Sequence, residues 1–257
     1  MEFVVIPIVA LFTSLLTFFS GFGLGTILLP AFAIFFAVNI AVALTAIVHL
    51  LNNILRFALV SKHTNKGVIL RFGLISVLAS FLGAQLLTRL VDLRPLLSYH
   101  LFGNSFDIMP IKFIIAVIIM FFALWEVLPR LKGVSFSQRY LPLGGLLSGF
   151  FGGLSGIQGP LRSAFLVRSG LSAEGYIATN AAIAIMVDIP RISVYVAHFS
   201  LLSAKSNVIL LATATAAAFV GALLGYFWLK NVTMKIIQIL VSIMLFAVAL
   251  GLGSGLI

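Results

Sequence analysis

The chain of 257 residues is 62% hydrophobic and only 9% charged, against roughly 25% charged in an ordinary soluble domain, so lipid is its main solvent. The net charge of +10 does not point to nucleic acid, because basic residues stand singly or in small groups in short loops without an aromatic-interleaved patch. Cysteine is absent, which excludes disulfides, thiolate metal sites and cysteine nucleophiles.

A bilayer core takes about 20 helical residues to cross, and long strand-like alternation is missing, so the pattern predicts an all-α, polytopic membrane protein. In chain order the predicted segments are 3–19, 24–37, 40–61, 68–91 and 110–129, then 141–154, 159–169, 173–199, 206–228 and 234–256. The first begins at Phe3 with no basic leader region and reads as a mature transmembrane helix. Between the fourth and fifth lies a long polar connection, 92–109, with Asp92, Arg94, His100, Asn104 and Asp107. A basic linker, 130–140, separates a first repeat (1–129) from a second (141–257).

The two halves echo one another. Ser20-Gly21-Phe22-Gly23-Leu24-Gly25-Thr26, running on to Pro30, has its counterpart in Ser155-Gly156-Ile157-Gln158-Gly159-Pro160. An offset of 135 residues aligns these breaks and pairs Asn53 with Asp188, Arg56 with Arg191 and His63 with His198. An offset of 138 then matches Phe81-Leu82-Gly83-Ala84 with Phe219-Val220-Gly221-Ala222. Interrupted apolar segments at corresponding places in two halves point to a secondary transporter and to its binding site.

Loop charge arbitrates the topology. If the short segments cross or re-enter, then Lys62, Lys66, Arg71, Arg130, Lys132, Arg139, Arg168, Lys230 and Lys235 share one face. Only Arg89, Arg94, Lys112 and Lys205 then lie on the other. If each broken pair makes one span, the split is nearly even. The positive-inside rule favours the first arrangement, which puts both termini outside the cytoplasm. Each half then crosses an odd number of times, so the fold expected is two inverted five-segment repeats whose short broken helices meet near mid-membrane.

Backbone groups freed at a break inside a bilayer must be satisfied by protein or water. The short helices expected to start near Leu24 and Leu161 present free N–H groups and a dipole that favour an anion. Close packing of small residues is the alternative role for such glycines. Thr45, His49, Asn52 and Arg56 share one helix face, with Asn53 at its edge. The counterpart segment carries Thr179, Asn180, Asp188 and Arg191, with Pro190 expected to kink it. Ionisable residues within a membrane are functional candidates, although Arg56 could snorkel to the surface and Asp188 with Arg191 could be a structural pair. His49 and Asp188 are the proton-coupling candidates, since histidine titrates in the useful range. Arg162 and Gln158 stand where the first half has Ile27 and Gly23, so the halves cannot serve a substrate equally. A guanidinium at that depth suits a carboxylate, sulfonate or sulfite, unless it reaches the interface beside Arg168. The candidate substrate site is Ser20, Gly21, Gly23, Gly25, Asn53, Arg56, Ser155, Gly156, Gln158, Gly159, Arg162, Asp188 and Arg191.

At the glycine breaks and in its two-copy organisation the chain resembles the sulfite exporter TauE/SafE family of bacterial permeases. The resemblance rests on Gly21-Phe22-Gly23-Leu24-Gly25 running to Pro30, and on Gly153-Leu154-Ser155-Gly156-Ile157-Gln158-Gly159. It implies transport of sulfite, an organosulfonate or a related small anion such as a carboxylate across the inner membrane, with no enzymatic activity, and the inverted two-copy architecture adds the expectation of alternating access coupled to an ion gradient. Gln158, Pro160 and Arg162 depart from the more glycine-rich run common in the family, which leaves the particular anion open. No cofactor or metal is expected, and the partners are the anionic substrate and the lipid bilayer, with a homodimer left open. Two other readings stand beside it. One is a passive anion channel. The other is an intramembrane serine protease using Ser155 and His198, since Gly153-Leu154-Ser155-Gly156 matches a Gly-x-Ser-Gly pattern.

Overall fold

The computed structural model describes residues 1–18, 24–101, 103–128, 134–199, 205–228 and 235–256. The first half contains α1 (Glu2–Thr17), α2 (Leu24–Ala33), α3 (Val38–Val60), α4 (Lys66–Val91) and α5 (Pro110–Val127). The second contains α6 (Leu141–Ser155), α7 (Gly159–Leu166), α8 (Ala173–His198), α9 (Lys205–Trp228) and α10 (Lys235–Ser254). Local chemistry sets several ends. Asn65 and Ser172 accept side-chain caps from Val68 N and Gly175 N, both at 3.0 Å. Pro110 starts α5 where its missing N–H costs nothing, and Gly156 closes α6 at φ +79°, a left-handed value that glycine alone adopts freely.

The stretches Val38–His63, Lys66–Val91, Ala173–His198 and Asn207–Phe227 are each long and apolar enough to cross a membrane. Large apolar side chains, among them Leu74, Leu78 and Leu82 on α4, Ile243 and Leu250 on α10 and Phe227 on α9, are exposed on the outside of the bundle. The protein is a helical, polytopic membrane protein. All ten residues of α2 are buried, and so is every residue of α7 except Ser163. At 1.5 Å per residue they span only ~15 and ~12 Å, about half a hydrocarbon core or less. They are interior half-helices, not lipid-facing spans.

Packing between the halves follows one exchange rule. α1 lies against α9, and its counterpart α6 lies against α4. α3 meets α8, α5 meets α10, and the α2–α10 contact has its equivalent in α5–α7. Swapping first-half helices for second-half ones maps these pairs onto one another. Glycine permits the closest of them. A Cβ at Gly145, Gly149 or Gly153 on α6 would collide with the backbone oxygens of Phe72, Ser76 and Ser80 on α4. Gly221 on α9 sits in the same way against Leu11 O on α1. Such small-residue ridges are how membrane helices approach closely.

Two features depart from the sequence reading. α4 carries a π-helical bulge at Ile69–Gly73. The connection read as a polar loop is an antiparallel hairpin, β1 (Leu97–Leu101) with β2 (Asn104–Ile108), pairing Tyr99 with Phe106. Gly103 turns it at φ +80°, and Tyr99 Oη donates to Ser254 O at 2.7 Å, pinning the hairpin to the end of α10. Pro190 lies inside α8, which continues through it as a single helix.

Candidate functional site

The second break brings a connected polar network into the middle of the bundle. On α8, Asp188 and Arg191 stand three residues apart: Arg191 Nε donates to Asp188 Oδ1 at 2.9 Å and Nη2 lies 2.7 Å from the same oxygen. His49, from α3 in the other half, places Nδ1 2.6 Å from Asp188 Oδ2. The carboxylate is therefore held by one cation of its own helix and by an imidazole across the interface between halves. Gln158, in the break, donates from Nε2 to Asp188 Oδ1 at 3.4 Å and accepts from Arg162 Nη1 at 3.0 Å. Arg162 Nε donates to Asn180 Oδ1 at 2.6 Å. Every member of this chain except Asn180 is at least 98% buried.

The start of α2 reaches the same place. A Cβ at Gly25, near the start of α2, would stand 3.0 Å from Gly156 O and 3.7 Å from His49 Cδ2. Thus the first short helix abuts the second break beside the histidine. At Gly156 a Cβ would lie 2.8 Å from Arg191 Nη1, so glycine leaves room for the guanidinium.

The aligned arginines make matching contacts. Arg191 Nη1 donates to Gly152 O at 3.2 Å, and Arg56 Nη2 donates to Thr17 O at 2.5 Å. Thr17 and Gly152 stand at the same offset of 135 residues. Arg56 also lies over the Phe18 ring, 4.9 Å from its centroid. It is only 4% exposed, and its contacts run inward to α1, so it does not snorkel. Arg162 likewise turns inward to Asn180 and Gln158, not toward Arg168.

Charge at this centre is unequal. Arg56, Arg162 and Arg191 are buried, whereas Asp188 is the buried carboxylate among the described side chains. Glu2 pairs with the N-terminus, while Asp92, Asp107 and Glu174 are exposed. Asp188 is claimed by Arg191 and His49. Among the described residues, Arg162 and Arg56 therefore have only neutral hydrogen-bond partners. Buried charge of this kind requires a counter-charge.

The remaining candidates fall in several places. Ser155 Oγ donates to Phe151 O at 2.9 Å and accepts from Ile157 N at 3.3 Å, so it caps the end of α6. His198 Nδ1 contacts Val194 O at 2.8 Å, and no hydrogen bond joins it to Ser155. The hydrogen-bonded dyad that a serine protease would need is not formed by these two side chains. Asn53 Nδ2 donates to His49 O at 2.8 Å, and Gly159 opens α7. Ser20, Gly21 and Gly23 lie outside the described residues. Among the described residues, no group of three or more His, Asp or Glu side chains could hold a metal. Asn180, named on its segment but not placed in the substrate site, and Tyr195, whose hydroxyl donates to Gly153 O and which the sequence reading did not name, are both site neighbours. Their spacing could have found them: 180, 188, 191 and 195 fall on one face of α8.

A polytopic membrane protein with two interior half-helices, meeting at a buried and predominantly cationic centre, has the build of a transporter for anions. The family model for the sulfite exporter TauE/SafE matches residues 6–252, nearly the whole chain, and the protein belongs to that family. It is accordingly a multi-pass membrane protein of a transporter family. Comparison with curated proteins finds no match, and comparison with solved structures finds none either.

Proposed function

We propose that the protein is a secondary carrier that moves a small anion (sulfite, an organosulfonate or a related carboxylate) across the bacterial inner membrane by alternating access. One observation carries the reading: Arg162 is buried just after the second break, 1% exposed, and among the described residues its hydrogen-bond partners are the neutral Asn180 and Gln158. A sulfonate or carboxylate would supply the missing charge in bidentate geometry. Gly25, Gly156 and Gly159 keep the backbone open for close approach. The exchange-symmetric packing of the halves supports two structural repeats, and the loop charges favour their inversion, the arrangement that alternating access uses.

Proton coupling belongs in this reading at the His49–Asp188 contact, because it joins α3 of one half to α8 of the other. The groups facing it are Arg191, Gln158 and, through Gln158, Arg162. Protonation of Asp188 would release His49 and leave Arg191 to seek another partner, loosening that link between the halves. Transport that follows pH in the native protein should lose that dependence in a His49→Gln, Asp188→Asn double variant.

The test of the carrier reading is solute flux in reconstituted liposomes, with thermal unfolding of the purified protein alongside. Sulfite or a short alkylsulfonate should raise the melting temperature saturably. It should also be carried with saturable kinetics, and Arg162→Ala should abolish both effects. Stabilisation by cations or neutral solutes alone, or equal flux in Arg162→Ala, would overturn it. Non-saturating flux would favour a passive channel.

A further inference from the structure

In the second repeat, Arg191 finds its carboxylate three residues back, at Asp188. In the first, Arg56 has Asn53 at the aligned position, and Asn53 turns to its own helix, donating to His49 O. Arg56 thus has the guanidinium without the neighbouring carboxylate. Its Nε has no hydrogen-bond partner although the side chain is 96% buried. One turn earlier on the same face, Asn52 accepts from Ser14 Oγ at 3.0 Å through Oδ1, while its Nδ2 is also unpartnered and fully buried. Between α1 and α3 there are therefore two adjacent rungs, Ser14–Asn52 and Thr17–Arg56. Each leaves one donor nitrogen unused. A buried group left unpaired in this way calls for an explanation, and an ion is one of the recognised kinds.

The second half shows what the same place looks like when no ion is needed. The counterparts of Ser14 and Asn52 at the 135-residue offset are Gly149 and Val187, which have no side-chain donor. There Asp188 neutralises the arginine, and the neighbouring positions are apolar. In the first half an asparagine stands in place of the carboxylate, and further donors, Ser14 and Asn52, lie beside the guanidinium.

We infer that Arg56 and Asn52 form a second anion site, separate from the substrate's, which holds a small monovalent inorganic anion such as chloride as the counterion that Asp188 provides in the other repeat. Arg56 Nε and Asn52 Nδ2 donate to the anion, while Thr17 O and the Phe18 ring hold the guanidinium from its other side. This removes Arg56 from the substrate's path and leaves the substrate to Arg162. The site does not depend on which solute is carried.

The experiment is retention of radioactive chloride by the purified full-length protein, with thermal unfolding in chloride against gluconate. The native protein should hold one chloride per chain, keep it when sulfite or an alkylsulfonate is added, and melt higher as chloride rises. Arg56→Gln should bind none. Asn53→Asp rebuilds the second-half arrangement, so it should fold, bind no chloride and show a melting temperature indifferent to chloride. No retention by the native protein at physiological chloride would overturn the site, as would retention unchanged in Arg56→Gln. An Asn53→Asp variant as chloride-dependent as the native protein would also overturn it, even if Arg56→Gln fails to fold. Stoichiometric displacement of chloride by sulfite or the sulfonate would make Arg56 part of the substrate site and end the separation claimed here. Chloride retention with no response to any sulfur anion or carboxylate would instead sink the carrier reading and leave this site standing.

Discussion

Asp188 is the residue on which the buried electrostatics turn, because Arg191, His49 and Gln158 all address its two oxygens. Removing it leaves Arg191 buried with no acidic partner among the described residues, whereas removing both members leaves two neutral groups. Losing one partner of a buried pair typically costs about 3–5 kcal/mol, while replacing the whole pair is often far cheaper. Asp188→Asn and Arg191→Gln should therefore each lower the melting temperature sharply, and the double variant should melt higher than either single one. Additive losses in a double-mutant cycle would mean that the pair does not act as a unit. Much of this was legible in sequence, since Asp188, Arg191, His49, Gln158 and Arg162 all stand out as polar residues in apolar runs. What was hidden is who meets whom. The His49–Asp188 contact joins positions 139 residues apart, and no local spacing encodes it. The snorkelling open to Arg56 was set aside by packing, because Thr17 O and the Phe18 ring hold it from α1.

At the scale of elements, the interlock between α6 and α4 depends on a ridge of glycines set four apart: Gly145, Gly149 and Gly153. Each faces a backbone oxygen, which cannot rotate away as a side chain can. Gly149→Ala should thus destabilise the protein despite alanine's better helix propensity, by about 1–3 kcal/mol for a methyl forced into a filled site. Leu146→Ala on the exposed side of α6 is the control and should change little. If Gly149→Ala melted like the native protein, the tight α4–α6 approach would be wrong. Helix positions were readable because apolar length and glycine breaks are local signals, and the short segments emerged as α2 and α7. The hairpin was missed for a different reason. Leu97, Tyr99 and Leu101 alternate with Ser98 and His100, but over only five residues and flanked by charges, a pattern that a polar loop also shows. Its pairing is supported from a distance, by the end of α10.

For the whole molecule, the exchange of α1–α9 for α6–α4, and of α2–α10 for α7–α5, is what two inverted copies of one unit would produce. Inversion requires an odd number of crossings per half, and on that proposal the distribution of basic loop residues would put both termini on the non-cytoplasmic side. The hairpin 97–108 would fall on that side too, and the turn at Lys62–Lys66 on the other. The native chain has no cysteine, so single cysteines report topology without any background removal. Ser98→Cys, exposed on the hairpin, should react with an impermeant maleimide in intact cells whose outer membrane has been made permeable. Lys66→Cys, exposed at the start of α4, should react only after the inner membrane is opened. Labelling of both from one side would contradict a crossing by α4 itself. The reverse pattern, Lys66→Cys from outside and Ser98→Cys from within, would preserve the crossing and reject the orientation. It would also set the basic loops against the usual bias, so the charge asymmetry of this chain would need a cause other than topology. Agreement would fit α2 and α7 entering as half-helices from opposite faces, with Gly25 of α2 against Gly156 in the break before α7. Each break could then face only one side at a time, which is the geometric condition a carrier needs and a continuous pore lacks.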